Sequence, residues 1–446
     1  MDEPLTTETA GAGQAGVADL GKDCLGSAED RRRFSIDGRE PQHVVFPETI
    51  EQVSAVLQEA HRQGLAVAPV GCGAFLHLGG IPRRYQLALS LSRLARLVDY
   101  QPTDMTVTVE AGMTLGQLQQ ILEAHGQWLP LDPPLPDRAT VGGVIAANLS
   151  GPARLSQGTI RDFLLGLRVV QADGTVVKGG GRVVKNVAGY DLPKLYCGSF
   201  GTLGVIVEAT CKVRPRPAAH AVLSLALPSP GEAMGLVQRI LGSELQPFFL
   251  VLTNFDPTEE GQEGTGAYRL LIGFAGIPEE VAYQRHRLQE LARPQASGPR
   301  EWEGEDVRTL AGALRDFPAA GDASLRCKLG ILPAQLAGLC QELEEEASLR
   351  ALPVQLLVHA GNGIVYVRVP ASGDVPAEKV LSAVDWLRIA AKQRGGYMTV
   401  EAISPRLKER VDVWGHPGNA FSLMKQLKET LDPHGILNPG RFVGGI

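Results

Sequence analysis

Glycine and other small residues crowd the stretch APVGCGAFLHLGG, residues 68–80, which follows an apolar run and carries no charged side chain. Backbone stripped of side chains can aim several N–H groups at one point. The chemistry served by such a nest is the binding of an anion, phosphate above all. Two more small-residue zones follow, DPPLPDRATVGGVIAANLSG at 132–151 and GGGRVVKNVAGYDLPKLYCGSFGTLGV at 179–205. One such loop could be an ordinary turn. Three of them, each beside a strand or helix end, can together wrap a pyrophosphate and a flat ring system. The common nucleotide signatures do not fit. No Lys-Ser/Thr pair completes a Walker A loop, and the spacing of Gly71, Gly73 and Gly79 misses the dinucleotide GxGxxG fingerprint.

The elements that must hold these loops can be read from periodicity and caps. FPETIEQVSAVLQEAHRQG (46–64) predicts a helix: Thr49 and Gln52 form a capping-box pair, Val53, Val56, Leu57 and Ala60 share a face, and Gly64 closes it. LAVAPVG then reads as a short buried strand, so the first glycine loop leaves a strand end. In MTVTVEAG, Met105, Val107 and Val109 alternate with Thr106, Thr108 and Glu110, the pattern of a half-buried strand. Thr114 and Gln117 cap a second helix, and Thr140 can cap a short third one, VGGVIAAN. FLLGLRVVQADGTVVKGG predicts a hairpin turning at Asp173–Gly174. A strand, GVIVEATCKV, ends at Pro215 and Pro217, which mark the best domain boundary.

Beyond it the order strand–helix–strand–strand–helix occurs twice, on either side of a polar linker at 295–320, which suggests one antiparallel sheet with helices on one face. The expected organisation is a loose tail over 1–30, a ligand-holding unit over 31–217, a second unit over 218–424 with two ferredoxin-like halves, and a C-terminal segment, 425–446, that returns to the first unit. The fold class is α+β.

Composition narrows the function. The formal net charge of −6 argues against a nucleic-acid carrier. No run of 18 apolar residues predicts a membrane span, and the acidic start MDEP is unlike a secretory leader. The six cysteines never form CxxC, which favours reduced thiols in a cytoplasmic compartment over a zinc or iron–sulfur site.

Five stretches carry a family resemblance: APVGCGAF with LGG, VTVEAGMTLGQLQQIL, ATVGGVIAANLSG, RDFLLGLRVVQADGTVVKGGGRVVKNVAGYDLPKLYCGSFGTLGVI, and LDPHGILNPGR. In order and spacing they resemble the FAD-linked oxidases of the vanillyl-alcohol oxidase type and, within that family, the FAD-binding subunits of bacterial glycolate oxidases. The resemblance implies a PCMH-type FAD-binding domain of two α+β subdomains beneath a cap domain. It implies that the FAD pyrophosphate lies over Pro69, Val70, Gly71, Cys72, Gly73, Ala74 and Phe75. Gly142, Gly143 and Ala147 would pass close to the cofactor, with Thr140 as a polar contact. Gly201, Gly204 and Ile206 would lie along the flavin or adenine edge, and Asn438 and Arg441 would return from the tail. Relatives that tether flavin covalently often carry histidine where this chain has Ala74, so the expected FAD is non-covalent; His77, close by, reads as a loop or core histidine.

The resemblance also implies a substrate, a small 2-hydroxy acid such as glycolate. Its oxidation needs a hydride acceptor, a base for the hydroxyl proton and a cation for the carboxylate. Arg326 and Lys328 alternate with Leu325, Cys327 and Leu329 on a strand, so both cations share one sheet face. The same alternation suits a solvated face. His359, in HAGNGIVYV, stands where related catalytic subunits carry a histidine-and-acid motif; the acid is missing here, so no metal site is expected. Lys185, Tyr190 and Asp191 are polar groups of a family motif whose roles the sequence leaves open. The leading expectation is an FAD-binding subunit that works beside a homologous catalytic flavoprotein and an iron–sulfur subunit, with any membrane association made through them. A self-sufficient 2-hydroxy-acid dehydrogenase and a non-catalytic scaffold are the alternatives.

Overall fold

A computed structural model describes residues 24–181, 190–258, 268–292, 299–371 and 375–446. The helix Ile50–Gln63 forms as its caps predict. Thr49 accepts the Gln52 N–H, the Gln52 side chain accepts the Thr49 N–H, and Gly64 closes the helix in the left-handed region. Its apolar face packs into the first core, and Val67–Val70 follows at once. This strand lies in a three-stranded parallel sheet ordered His43–Val45, Leu87–Ser90, Val67–Val70. Order begins ahead of Arg31: Ala28–Arg33 is a helix capped by Ser27 and Asp30, and the Cys24 carbonyl accepts the Phe46 N–H.

A second, antiparallel sheet is ordered Leu97–Gln101, Thr106–Glu110, Val205–Lys212, Leu164–Val170, Val176–Gly180. The expected hairpin at Asp173–Gly174 is present, with the Thr175 N–H bonded to Asp173. One detail departs from the sequence reading. Thr106–Glu110 is buried on both faces, because its polar side chains are satisfied within the protein. Thr108 meets Thr210 at 3.0 Å, and Glu110 accepts both the backbone N–H and the guanidinium of Arg96.

The second half is one eight-stranded antiparallel sheet. Its order is Arg300–Glu303, Ala219–Leu227, Tyr268–Gly276, Phe249–Thr253, Gln355–His359, Ile364–Pro370, Ala323–Gly330, Tyr397–Ile403. The two similar halves join where Phe249–Thr253 pairs with Gln355–His359. Helices Pro230–Leu241, Pro278–Ala292, Leu336–Leu349 and Ala377–Gln393 fill one face. The segment read as a polar linker is instead structured in part. Arg300–Glu303 is an edge strand, and Glu305–Asp316 is a helix that lays Val307, Leu310 and Leu314 against Val222, Phe249 and Leu271 on the opposite face. Its apolar residues recur at helical spacing between charges, and the charges hid them.

The C-terminal segment packs beside the parallel sheet. After the helix Phe421–Leu431, Leu437 pairs in parallel with Val67, and the Asn438 N–H donates to the Val67 carbonyl at 2.8 Å. The return is fixed by Lys428, whose buried Nζ donates to Asp432 at 2.6 Å and to the carbonyls of Thr202 and Leu437 at 2.9 and 2.8 Å. Asp432 in turn accepts the N–H groups of Ile436 and Leu437. Breaking a buried pair leaves an uncompensated charge, so Lys428→Met is expected to cost about 3–5 kcal/mol in the urea-unfolding free energy. An unchanged midpoint would show that the pair does not hold the segment.

Candidate flavin site and the facing cap surface

The three small-residue zones meet. One cleft is lined by Pro69, Val70, Gly71, Cys72, Gly73, Ala74 and Phe75, by Thr140, Gly142, Gly143 and Ala147, by Gly201, Gly204 and Ile206, and by Asn438 and Arg441. Leu78, Leu91, Arg138, Phe200 and others, which the sequence reading had not singled out, complete the wall.

Local structure explains the meeting. The strand Val67–Val70 ends at the cleft. Beyond it, the N–H groups of Cys72, Gly73, Ala74 and Phe75 find no acceptor among the described residues. Donors left unpaired cost free energy unless something accepts from them. Gly73 adopts φ 80° here, a conformation a side chain would strain. The helix Val141–Ala147 presents its first turn to the same space, capped by Thr140, whose hydroxyl accepts the Gly143 N–H at 3.2 Å. Thr140 therefore serves its helix. The glycines divide into two kinds. A Cβ on Gly71 would collide with Thr140, one on Gly142 would sit 2.8 Å from the Ala111 Cβ, and one on Gly204 would strike Val169. These are small so that protein can pack on protein. A Cβ on Gly143 would meet only the Thr140 hydroxyl, at 3.1 Å, and otherwise open space.

The tail closes the cleft. Asn438 donates its amide to the Phe200 carbonyl at 2.6 Å. Both residues have positive φ, 45° and 54°, uncommon values for residues other than glycine that mark functional sites when the surroundings enforce them. Arg441 is 5% exposed and donates to the carbonyls of Gly80 and Leu76, each at 2.8 Å. Burial pulls its pKa down to about 10, so it keeps its charge at neutral pH. From the cap side, Lys408 reaches across to Asp37 and to the His77 carbonyl, both at 2.7 Å. His77 is half-buried beside Arg326, Lys408 and Arg441. Burial first, and then these cations, push its pKa down to about 4, so its ring is neutral.

The other predicted residues lie apart from this lining, on the sheet face of the cap. Arg326 and Lys328 do share that face, directly opposite Arg368 and Tyr366 on the neighbouring strand. It is not a solvated face: Lys328 is half-buried, with Nζ 5.6 Å from the centre of the Tyr366 ring. The Tyr366 hydroxyl holds the Lys328 ammonium above its usual range against the cost of burial, and Glu401 adds to the effect. His359 is 2% exposed, packs edge-on against Tyr366 at 5.4 Å and has no partner for Nδ1. Burial, reinforced by Lys328 and Arg154, pushes its pKa down to about 3. Sequence reasoning missed Tyr366, Arg368 and Glu401. The first two alternate in GIVYVRVP just as Arg326 and Lys328 do in SLRCKLG, and antiparallel pairing of the two strands would have placed them together. Of the open polar trio, Tyr190 is 94% exposed, Asp191 pairs with Lys194 at 2.6 Å, and Lys185 lies outside the described residues.

A cleft lined by small residues of the N-terminal unit and by the returning tail, in a chain that also carries a large antiparallel sheet, is the arrangement of a flavoprotein. Family models agree: residues 41–180 match the FAD binding domain and 216–442 the C-terminal domain of FAD linked oxidases. The chain belongs to the FAD-linked oxidases, and its cofactor is FAD. It is 28% identical over 440 residues to D-2-hydroxyglutarate dehydrogenase of Xanthomonas citri pv. viticola, covering 90% of this chain and 89% of that one. It is 31% identical to glycolate oxidase subunit GlcE of Escherichia coli, covering 78% and 84%. The fold is shared with 4-ethylphenol oxidase from Gulosibacter chungangensis, at a TM-score of 0.74 and 15% identity over 96% of each chain. The cleft fits the cofactor: four unpaired amides suit a diphosphate, and the open side of Gly143 leaves room for it.

Two outcomes follow from the geometry. Gly143→Leu should project into the cleft, giving a folded protein that purifies with less than half its flavin, whereas Gly142→Leu should clash with Ala111 and destabilise the fold by about 1–3 kcal/mol. Flavin absorbance and urea midpoints separate the two, and full flavin in the Gly143 variant would contradict the placement. For His77, the folded pKa of about 4 lies below its ordinary 6.5. The unfolded chain therefore takes up a proton that the folded one excludes, and stability that is complete above pH 6.5 falls as the pH drops toward 4. His77→Gln should shrink the difference in urea midpoint between pH 7 and pH 5. An undiminished difference would show that His77 is protonated in the folded state.

Proposed function

We propose that this chain is the FAD-binding subunit of a glycolate-oxidising complex, working beside a homologous flavoprotein and an iron–sulfur subunit that carries electrons onward. More coarsely, it is an FAD-dependent oxidoreductase that acts on the CH–OH group of a 2-hydroxy acid, as its relatives' names support. The observation that carries the finer reading is a contrast within the structure. The cleft offers unpaired amides and small-residue walls that suit a dinucleotide, whereas the cap face holds much of its polar equipment in internal contacts. Lys328 is engaged by Tyr366 and Glu401, and His359 is deeply buried.

The roles follow from position. The amides of Cys72–Phe75 hold the diphosphate, the first turn of Val141–Ala147 and the Gly201–Ile206 segment flank the rings, and Asn438 and Arg441 close the cleft. With Ala74 at the tethering position the cofactor is held without a covalent bond. Bound FAD supplies the hydride acceptor. The substrate carboxylate faces Arg326, but the His359 imidazole, deeply buried and with its pKa pushed down to about 3, is too weak a base to take the hydroxyl proton, which fits a chain that depends on a partner for turnover. Among the described residues no helix is long and apolar enough to cross a membrane, so attachment to one is made through the partner subunits.

A second reading, a dehydrogenase sufficient by itself, is favoured by one observation: among the described residues, the hydrogen-bond partners of Arg326 and Arg368 are neutral, the carbonyls of Ala320 and Gly321 and the Gln355 side chain. The visible spectrum of the chain purified alone decides. The expected protein is yellow and is not bleached by anaerobic glycolate until it is co-expressed with its partners. Bleaching of the isolated chain favours the second reading, and a colourless protein that ignores added FAD overturns both.

A further inference from the structure

We infer that Arg368 is a second carboxylate-binding residue that forms, with Arg326, a two-guanidinium clamp for the anionic end of the substrate; this rests on the reading that the chain binds FAD and a 2-hydroxy acid. The two arginines occupy directly paired positions on neighbouring antiparallel strands, so their side chains leave the same sheet face side by side. Both donate to the Ala320 carbonyl, Arg326 at 2.9 Å and Arg368 at 3.1 Å. Arg326 also donates to the Gly321 carbonyl, and Arg368 to the Gln355 side chain at 2.7 Å. The Arg368 guanidinium lies 4.3 Å from the centre of the Phe317 ring, which fixes its plane. Neutral partners orient the two groups and leave the charge uncompensated. Arg326 Nε is buried and has no acceptor.

Two half-buried cations of like sign, side by side without a carboxylate within ion-pairing distance among the described residues, are costly unless an anion joins them. The repulsion shows in Arg368, whose pKa is drawn down to about 10 by burial and then by Arg326. Nearby acids do not cancel the pair. Glu401 and Asp322 act on Arg326 at longer range, and Glu401 is shared with Lys328. Lys328, the cation the sequence pairs with Arg326, therefore has its charge opposed from within, whereas Arg368 does not. Arg326 lies near enough to the cleft for its charge to be felt by His77, which directly follows the cleft-lining residues Phe75 and Leu76. A planar, bidentate donor matches a carboxylate in a way a lysine cannot.

The test separates charge recognition from a structural role. Flavin-loaded protein, wild type, Arg368→Gln and Arg368→Lys, is titrated with glycolate and with its neutral isostere glycolamide, and binding is read from the change in flavin absorbance. A hydrogen-bonded charge contributes enough that the wild type should prefer glycolate by about tenfold or more. Arg368→Gln should cut that preference several-fold through weaker glycolate binding alone, with glycolamide binding little changed, and Arg368→Lys should restore part of it. If Arg368→Gln does not fold, the lysine variant decides, with a several-fold loss for glycolate alone. An undiminished preference in the folded glutamine variant, or a wild type that binds both compounds equally or neither, overturns the clamp and leaves the FAD reading intact. Protein that carries no flavin overturns the FAD reading itself.

Discussion

The architecture turns on a short row of backbone donors with nothing in the protein to satisfy them. Where Val67–Val70 ends, Cys72–Phe75 line a cleft, and their N–H groups find no backbone acceptor among the described residues. Such donors are tolerated when a ligand completes them, and they recognise a diphosphate without any cation that would compete for it. The residues around them must then be small or held in uncommon conformations. Gly71 and Gly142 let helix and loop approach closely, and the bond between Asn438 and Phe200 joins two residues in the left-handed region.

That constraint explains why the last residues of the chain matter to its first domain. The cleft needs a wall that the N-terminal zones do not supply. Leu437 extends the parallel sheet beside Val67, and Arg441 plugs the space behind the glycine loop. The cap is then locked to this wall by Lys408, through Asp37 and the His77 carbonyl, and by the Trp414 indole, which donates to the Arg441 carbonyl at 3.0 Å. Cofactor site, tail and cap are thus mechanically one unit, and the cap's polar sheet face is carried to the flavin side by the same contacts.

Much of this was legible in the residues. Capping pairs such as Thr49–Gln52 are local chemistry, so the first helices fell where expected. The convergence of the three zones was legible because small residues are informative where they recur beside element ends. Long-range burial was not. The alternation in Thr106–Glu110 signals one wet face, yet Thr210 and Arg96, distant in sequence, supply partners that dry it. The helix Glu305–Asp316 was hidden by its charges although Val307, Leu310 and Leu314 keep helical spacing. On the cap face, period-two alternation shows which residues are companions but not what lies above them. Lys328 and Arg326 look alike in sequence, and only Tyr366, brought in by another strand, sets them apart.

The central claim is that these separated stretches line one ligand's site and that the Cys72–Phe75 amides bond to it. Amide hydrogen exchange of the flavin-free protein during titration with FAD tests it most directly. The account predicts that the Cys72–Phe75 amides gain protection with the same dependence on FAD concentration as flavin binding itself, while the first-turn amides of Val141–Ala147, already bonded to Met113, Ala111 and Thr140, are slow throughout. Saturating FAD binding that leaves the Cys72–Phe75 amides as fast as before would contradict it.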